Sequence, residues 1–290
     1  MSSSQVSEEK ERDLVAKVEL RLALADSAEK FQQGLDTFVA PLLLKLASPH
    51  ASVRQAVFNV LKDILARLSS LRDVKVPVEK LISQAQSPAV LPNQDDGPVR
   101  LYSLLLASKG IDRLDSTEAR FLVPLAMRHI SGLPRTASAR MFHVLCKLLL
   151  KWVPPLKGSK EEDETREYLA LDDKDDLNFL LQKFTQFFLL VPAKADPQSG
   201  IIPRGYSCPG LCSDDVSFFT YEAGVSFTKE QMLRFKSAIY KFTTNGLVKD
   251  DQQLLRFLSV ASTDSSDLSD SAIQHLKRLD TPHEEAHFIN

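Results

Sequence analysis

The stretch Ala51-Ser52-Val53-Arg54-Gln55-Ala56-Val57-Phe58-Asn59-Val60-Leu61-Lys62-Asp63-Ile64-Leu65-Ala66-Arg67-Leu68-Ser69 decides the fold class. Its aliphatic side chains fall at Val53, Val57, Val60, Leu61, Ile64, Leu65 and Leu68, so a 3.6-residue turn gathers them into one stripe. The spacing predicts a helix with one buried face, and it places Val53 and Leu61 in the core between stacked helices.

The same period recurs at Leu14, Val18, Leu22 and Ala25, at Leu177, Leu180, Leu181, Phe184 and Phe188, and at Met232, Phe235, Ile239 and Phe242. Two-residue alternation is nearly absent. The short apolar run Val216 to Phe227 contains Gly224 and sits between turn signals, so it predicts no sheet. Helix boundaries are marked by Asp26-Ser27 before Ala28 to Ala47 and by Ser48-Pro49-His50 before Ala51 to Ser69. Asp115-Ser116-Thr117-Glu118 precedes Ala119 to Ser131, and Leu133-Pro134 precedes Arg135 to Val153. Helices therefore come in pairs joined by short turns, and neither helix of a pair can bury its stripe alone. The expected fold is all-α, a HEAT-like α-solenoid of stacked antiparallel pairs with irregular loops. An internal echo agrees: Pro41 leads to Ala51-Ser52-Val53-Arg54, and Pro124 leads to Ala137-Ser138-Ala139-Arg140, two periods on if each is about 40–47 residues.

Five segments are expected. Residues 1–153 form a helical array, and 154–176 form an acidic loop carrying Glu161, Glu162, Asp163, Glu164, Glu167, Asp172, Asp173, Asp175 and Asp176, self-repelling, flexible and dispensable for folding. Residues 177–191 continue the array, and 192–215 read as a linker because Pro192, Pro197, Pro203 and Pro209 alternate with Gly200, Gly205 and Gly210. Residues 216–290 form a smaller helical group. Thr281 and Pro282 open a helix that runs only to Asn290 with Phe288 and Ile289 still apolar, so Asn290 is expected to be a fragment boundary with further repeats beyond.

Composition narrows the function. With 290 residues and 43% hydrophobic content the chain can bury a continuous core. Its 36 Lys and Arg against 38 Asp and Glu give a charge of −2, which argues against a nucleic-acid partner. No G-x-G-x-x-G, G-x-x-x-x-G-K-[ST] or G-x-S-x-G occurs, so the common phosphate cradles and the nucleophile elbow are missing. The apolar runs Leu42-Leu43-Leu44 and Phe187-Phe188-Leu189-Leu190-Val191 fall far short of the ~18 residues a membrane span needs, so no membrane insertion is expected. Three cysteines and the opening Met1-Ser2-Ser3-Ser4-Gln5 point to the cytoplasm and nucleus.

Four clusters could carry chemistry, and each has a simpler role. His283-Glu284-Glu285-Ala286-His287 is a literal H-E-x-x-H, yet Thr281-Pro282-His283-Glu284 is also a capping box, and only three residues follow in which a third zinc ligand could stand. Cys208 and Cys212 have no second cysteine pair, since Cys146 sits in the apolar helical run Phe142 to Leu150, so loop thiols and a buried thiol are expected. Asp264, Asp267 and Asp270 lack the glycine and final glutamate of a calcium loop, and helix capping around Ser269-Asp270 explains the cluster more simply. His129 and His143 have no carboxylate or nucleophile at a catalytic spacing. No catalytic, cofactor-binding or metal-binding residue is assigned, and partner-binding residues are unassigned.

The segment Leu35-x-x-Phe38-x-x-Pro41-Leu42-Leu43-Leu44-Lys45-Leu46-Ala47-Ser48-Pro49-His50-x-x-Val53-Arg54, preceded by Val18-Glu19-Leu20-Arg21-Leu22-Ala23-Leu24-Ala25-Asp26, resembles the N-terminal region of the large HEAT-repeat proteasome adaptor and scaffold family. Cys208-Pro209-Gly210-Leu211 and Leu258-Ser259-Val260-Ala261-Ser262-Thr263-Asp264 resemble it in the same order. HEAT repeats commonly bend their first helix at a proline and open the second with Val-Arg after an Asp. Ser48 stands where that Asp is usual, so a weakened Asp–Arg ladder is expected. The resemblance implies a non-enzymatic adaptor whose partners are the proteasome core particle and regulatory particle, acting in assembly, stability or quality control. Nuclear transport receptors and phosphatase scaffolds share the helix pairs and form the alternative reading. A zinc hydrolase built on His283 and His287 is the third.

Overall fold

A computed structural model of the chain describes residues 3–153, 155, 159–160, 167, 173–191, 208–247, 251–264 and 266–278. Among them are twelve α-helices and no strand. They fall into two compact units, Met1–Asp115 and Ser116–Asn290. Within each unit consecutive helices pair and stack, the local architecture of an α-solenoid. No described helix is long and apolar enough to cross a membrane.

The first unit holds α1 (Ser3–Ala23), α2 (Ala28–Leu44), α3 (Ala51–Ser70), α4 (Val78–Gln86) and α5 (Gly97–Ile111). The Ser27 hydroxyl accepts the Lys30 amide at 3.2 Å and caps α2, as the Asp26-Ser27 signal predicts. Pro41 lies inside α2. On α3 the buried stripe is Val53, Val57, Val60, Leu61, Ile64 and Leu68. It is narrower than the sequence pattern, because Leu65 remains 40% exposed at its edge. On α1 the buried residue is Val15, while Leu14 is 53% exposed. Two adjacent leucine-type residues are compatible with either register, and packing of α1 against α2 and α3 selects Val15 with Leu22 and Ala25. Gly110 lets α5 meet the start of α4, since a Cβ there would stand 2.6 Å from Val78 Cγ2.

Arginines tie successive repeats together. Arg67 of α3 donates to Leu22 O and, at 2.7 Å, to Ala25 O at the end of α1, 45 and 42 residues upstream. Arg113 repeats those offsets, donating to Leu68 O and, at 2.6 Å, to Leu71 O at the end of α3. Each guanidinium satisfies carbonyls that a helix C-terminus leaves without an internal donor. The matching ends show that α1, α3 and α5 run parallel. Arg100 caps the end of α4 in the same way, reaching Ala85 O at 2.6 Å while its Nε and Nη2 hold Asp96. The Asp–Arg ladder expected from HEAT repeats takes another form at Ser48. Arg54 donates to Ser48 O at 2.6 Å, and the carboxylate comes from α1, where Glu11 accepts the Ser48 hydroxyl at 2.5 Å and pairs with Lys45 at 2.9 Å.

The second unit holds α6 (Ser116–Met127), α7 (Arg135–Leu149), α8 (Lys174–Leu189), α9 (Ser213–Ser217), a π-turn (Phe218–Glu222), α10 (Lys229–Phe242), a second π-turn (Thr243–Leu247), α11 (Asp251–Ala261) and α12 (Leu268–Leu276). Pro124 lies inside α6, the counterpart of Pro41. The core is aromatic: the Phe142 ring on α7 stands 5.4–6.0 Å from Phe184, Phe187, Phe218 and Phe219. Trp152 meets Phe242 edge-on at 5.0 Å, and Phe188 meets Phe257 at 5.1 Å. Val216 to Phe227 holds the end of α9 and a π-turn rather than a strand, with Gly224 at φ 67 where a Cβ would stand 2.7 Å from Arg140 Nη2.

The acidic segment expected at 154–176 lies largely outside the described residues, but its last members correct the expectation. Asp173 caps α8, accepting the Asp175 amide at 2.8 Å. Asp176 is 1% exposed and accepts the amides of His129 at 2.6 Å and Ser131 at 2.9 Å and the Ser131 hydroxyl at 2.7 Å. It is a structural carboxylate rather than a solvated one, because His129 at φ 59 ends α6 and turns unpaired amides toward it. That turn ends α6 before the Ser131 expected from sequence. Most of the expected linker at 192–215 also lies outside the described residues, and the boundary between the compact units falls within segment 1–153.

Candidate interaction surface

Among the described residues, those with catalytic or metal-binding potential are dispersed into separate structural roles. Among the described residues no group of three or more His, Cys, Asp and Glu side chains could hold a metal ion. His283 and His287 lie outside the described residues. Cys208 is buried, its Sγ accepting the Val191 amide at 3.3 Å, whereas Cys212 is exposed and donates to Asp215 Oδ2 at 3.0 Å. Cys146 is buried in α7, and burial pushes its thiol far above the ordinary range. The His143 ring sits among Phe227 and Phe235, as a core histidine does.

Asp264 and Asp267 stand apart in role. Asp267 takes the N-cap position of α12 with Asp270 in its first turn, and Asp264 pairs with Lys236 of α10 at 2.5 Å. Lys236 also donates to Phe188 O at 2.8 Å, joining α8, α10 and the turn after α11. Burial raises the Asp264 carboxyl's pKa, but the Lys236 ammonium and the Ser266 hydroxyl outweigh it and hold it below the usual carboxylate range.

Two surface grooves, one in each unit, are lined by exposed cations and leucines. In the first, α3 and α5 touch through Phe58 and Tyr102, with ring centroids 5.0 Å apart, and enclose a cavity of about 580 Å³ beyond Leu65 and Leu68. Ser69 shares its wall, and Arg72, Lys109, Asp112 and Arg113 line it. Arg113 is engaged with carbonyls, whereas Arg72 and Lys109 are exposed and form no ion pair among the described residues. In the second unit, the end of α7 and α10 enclose about 360 Å³ between Leu149, Leu150, Trp152 and Leu233. Ser237, Arg234 and Lys241 share the wall, and these two cations also have no carboxylate partner among the described residues. Several cations elsewhere are paired: Lys17 with Asp13, Lys30 with Asp26, Lys45 with Glu11, Lys183 with Asp215. Sequence reasoning missed these four side chains because a basic residue on a polar helix face reads as simply solvated.

The family model described as "Proteasome component ECM29, N-terminal" matches residues 15–290. A Saccharomyces cerevisiae protein named "Proteasome component ECM29" is 51% identical over 291 residues, covering 97% of this chain and 16% of that protein. The Drosophila melanogaster "Proteasome-associated protein ECM29 homolog" is 30% identical over 93% of the chain and 13% of its own length. The human "Proteasome adapter and scaffold protein ECM29" is 28% identical over 63% of the chain and 9% of its own length. The chain thus spans less than a fifth of the relatives it matches. No solved structure matches it. A helical stack matched by this model along nearly its whole length belongs to the ECM29 proteasome-component family, in its N-terminal region.

Proposed function

We propose that the chain is a non-enzymatic part of a proteasome-associated adaptor and scaffold, binding the core particle and the regulatory particle and aiding their assembly, stability or quality control in the cytoplasm and nucleus. One observation carries this reading: 51% identity along 97% of the chain to a protein named as a proteasome component. The name of the human relative, adapter and scaffold, supports a role without catalysis. Stacked helix pairs suit that role physically, because they spread side chains from many elements over an extended surface.

Sedimentation of the purified 290-residue chain with purified proteasomes tests the reading. The chain is expected to move with the particle fractions, with core-only and regulatory-only particles separating the two partners. A chain that stays at the top of the gradient with every particle overturns it. A fluorescent fusion confined to a membrane compartment would overturn the cytoplasmic and nuclear placement.

A further inference from the structure

We propose that the groove of each unit is a docking site for an acidic segment of a partner protein, bearing leucine-type apolar anchors beside its carboxylates. The proposal rests on the adaptor reading and gives its partner a chemistry.

Two features occur together in both grooves. The floor is apolar and open to an incoming side chain: Leu65 is 40% exposed in the first groove and Leu233 is 42% exposed in the second. The rim carries net positive charge, with Arg72, Lys109 and Arg113 against Asp112 in the first groove and Arg234 and Lys241 in the second. A chain of net charge −2 has carboxylates to spare, and it sets them beside Lys17, Lys30, Lys45, Lys183 and Lys236. Leaving like charges beside exposed leucines costs stability in the free chain, through both repulsion and exposed apolar area. A segment with carboxylates flanking an apolar anchor removes both costs together. Its anchor displaces water from the floor, and the lower dielectric there strengthens the ion pairs above the near-zero worth of a fully exposed pair.

The volumes, about 360 and 580 Å³, suit a few side chains of a peptide. Nucleic acid is the poorer occupant, because it needs a continuous basic track, and here each groove offers only two or three cations. The two grooves lie in different compact units and are built from different helices, so their common chemistry is a repetition of the same feature.

Fluorescence anisotropy with two synthetic peptides tests the proposal on the whole chain. One peptide combines Leu with Glu, and the other is its charge-swapped form with Lys. The Leu-Glu peptide is expected to saturate, and the Leu-Lys peptide is not. Raising salt from about 50 to about 200 mM should weaken binding to the unmodified chain. Arg72→Glu with Lys109→Glu should weaken one class of site by about tenfold, and Arg234→Glu with Lys241→Glu the other. These side chains are exposed, and a thermal melt confirms that the variants stay folded. Equal binding of both peptides, no saturation by the Leu-Glu peptide, salt-independent affinity, or charge reversals without effect would each overturn the proposal. So would duplex DNA or phosphatidylserine vesicles binding more tightly than the Leu-Glu peptide. Proteasome sedimentation of the same proteins is read separately. Peptide binding without proteasome association overturns the adaptor reading alone, and the reverse overturns the grooves alone.

Discussion

Of the 16 phenylalanines, only Phe31, Phe38 and Phe58 belong to Met1–Asp115, and the two units solve the problem of cohesion differently. The first unit stacks aliphatic stripes and joins each repeat to the one before it with the same arginine-to-carbonyl bonds, 45 and 42 residues back. The second gathers rings from α7, α8 and the first π-turn around Phe142 and ties their ends with Lys236, Asp264 and Asp176. Repetition spreads stability over equivalent increments, whereas a single cluster makes it depend on a few side chains.

The largest expected effect follows from that concentration. Phe142→Ala should cost about 3–5 kcal/mol in denaturant unfolding, with hydrogen-exchange protection lost first in α7 and α8. A cost no greater than that of an average aliphatic truncation would erase the contrast. Leu61→Ala, at a site 4% exposed, should cost about 2–5 kcal/mol and loosen α3 and its neighbours; a change below about half a kcal/mol would show that the stripe is not the core.

Arg67→Ala and Arg113→Ala should each cost about 1–3 kcal/mol, because each leaves helix-end carbonyls without a donor. Similar values from the two would sharpen the idea of equivalent rungs. A several-fold difference would break it, though Arg67 has one extra contact, its guanidinium lying 4.0 Å from the Phe31 ring centroid.

The acid response should be smaller. Asp264 and Asp215 in the second unit and Glu11 in the first have pKa values lowered in the folded state. Their contributions are complete above the unfolded carboxylate range, near pH 4, and disappear as pH falls through the folded values. Stability measured against pH should therefore drop on the acid side, and Asp264→Asn should flatten that limb. An unchanged limb would remove Asp264 from the ties of the second unit. The smallest effect is expected at the loop that meets Asp176. His129→Gly keeps the amides in place and relieves a non-glycine residue at φ 59, so a gain of about 0–1 kcal/mol in thermal denaturation is expected.

Much of the helix content was legible because amphipathic period and caps are local. Val53, Leu61 and Ser27 behave as their neighbours in sequence dictate. Leu14 and Val15 show where locality fails: alternating Leu and Ala in α1 leave two possible faces, and only α2 and α3 choose between them. Asp176 was misread for a similar reason, since its charge is visible in sequence but the amides that receive it come from a turn 45 and 47 residues upstream. Arg67 and Arg113 were legible in principle as a recurrence, yet a basic residue near a helix end is ordinary in composition. The grooves were not legible at all, because each takes residues from two helices whose neighbourhood is set by stacking.

The constant reach of the arginine bonds has a consequence for how the chain is made. An acceptor always precedes its donor along the polypeptide, so Leu22 and Ala25 leave the ribosome well before Arg67, and Leu68 and Leu71 before Arg113. Each arriving helix finds its docking carbonyls already exposed on a finished surface and can join without waiting for anything downstream. The first unit is thereby suited to assembling in the order of its synthesis, one helix at a time, with little sticky surface left uncovered between steps.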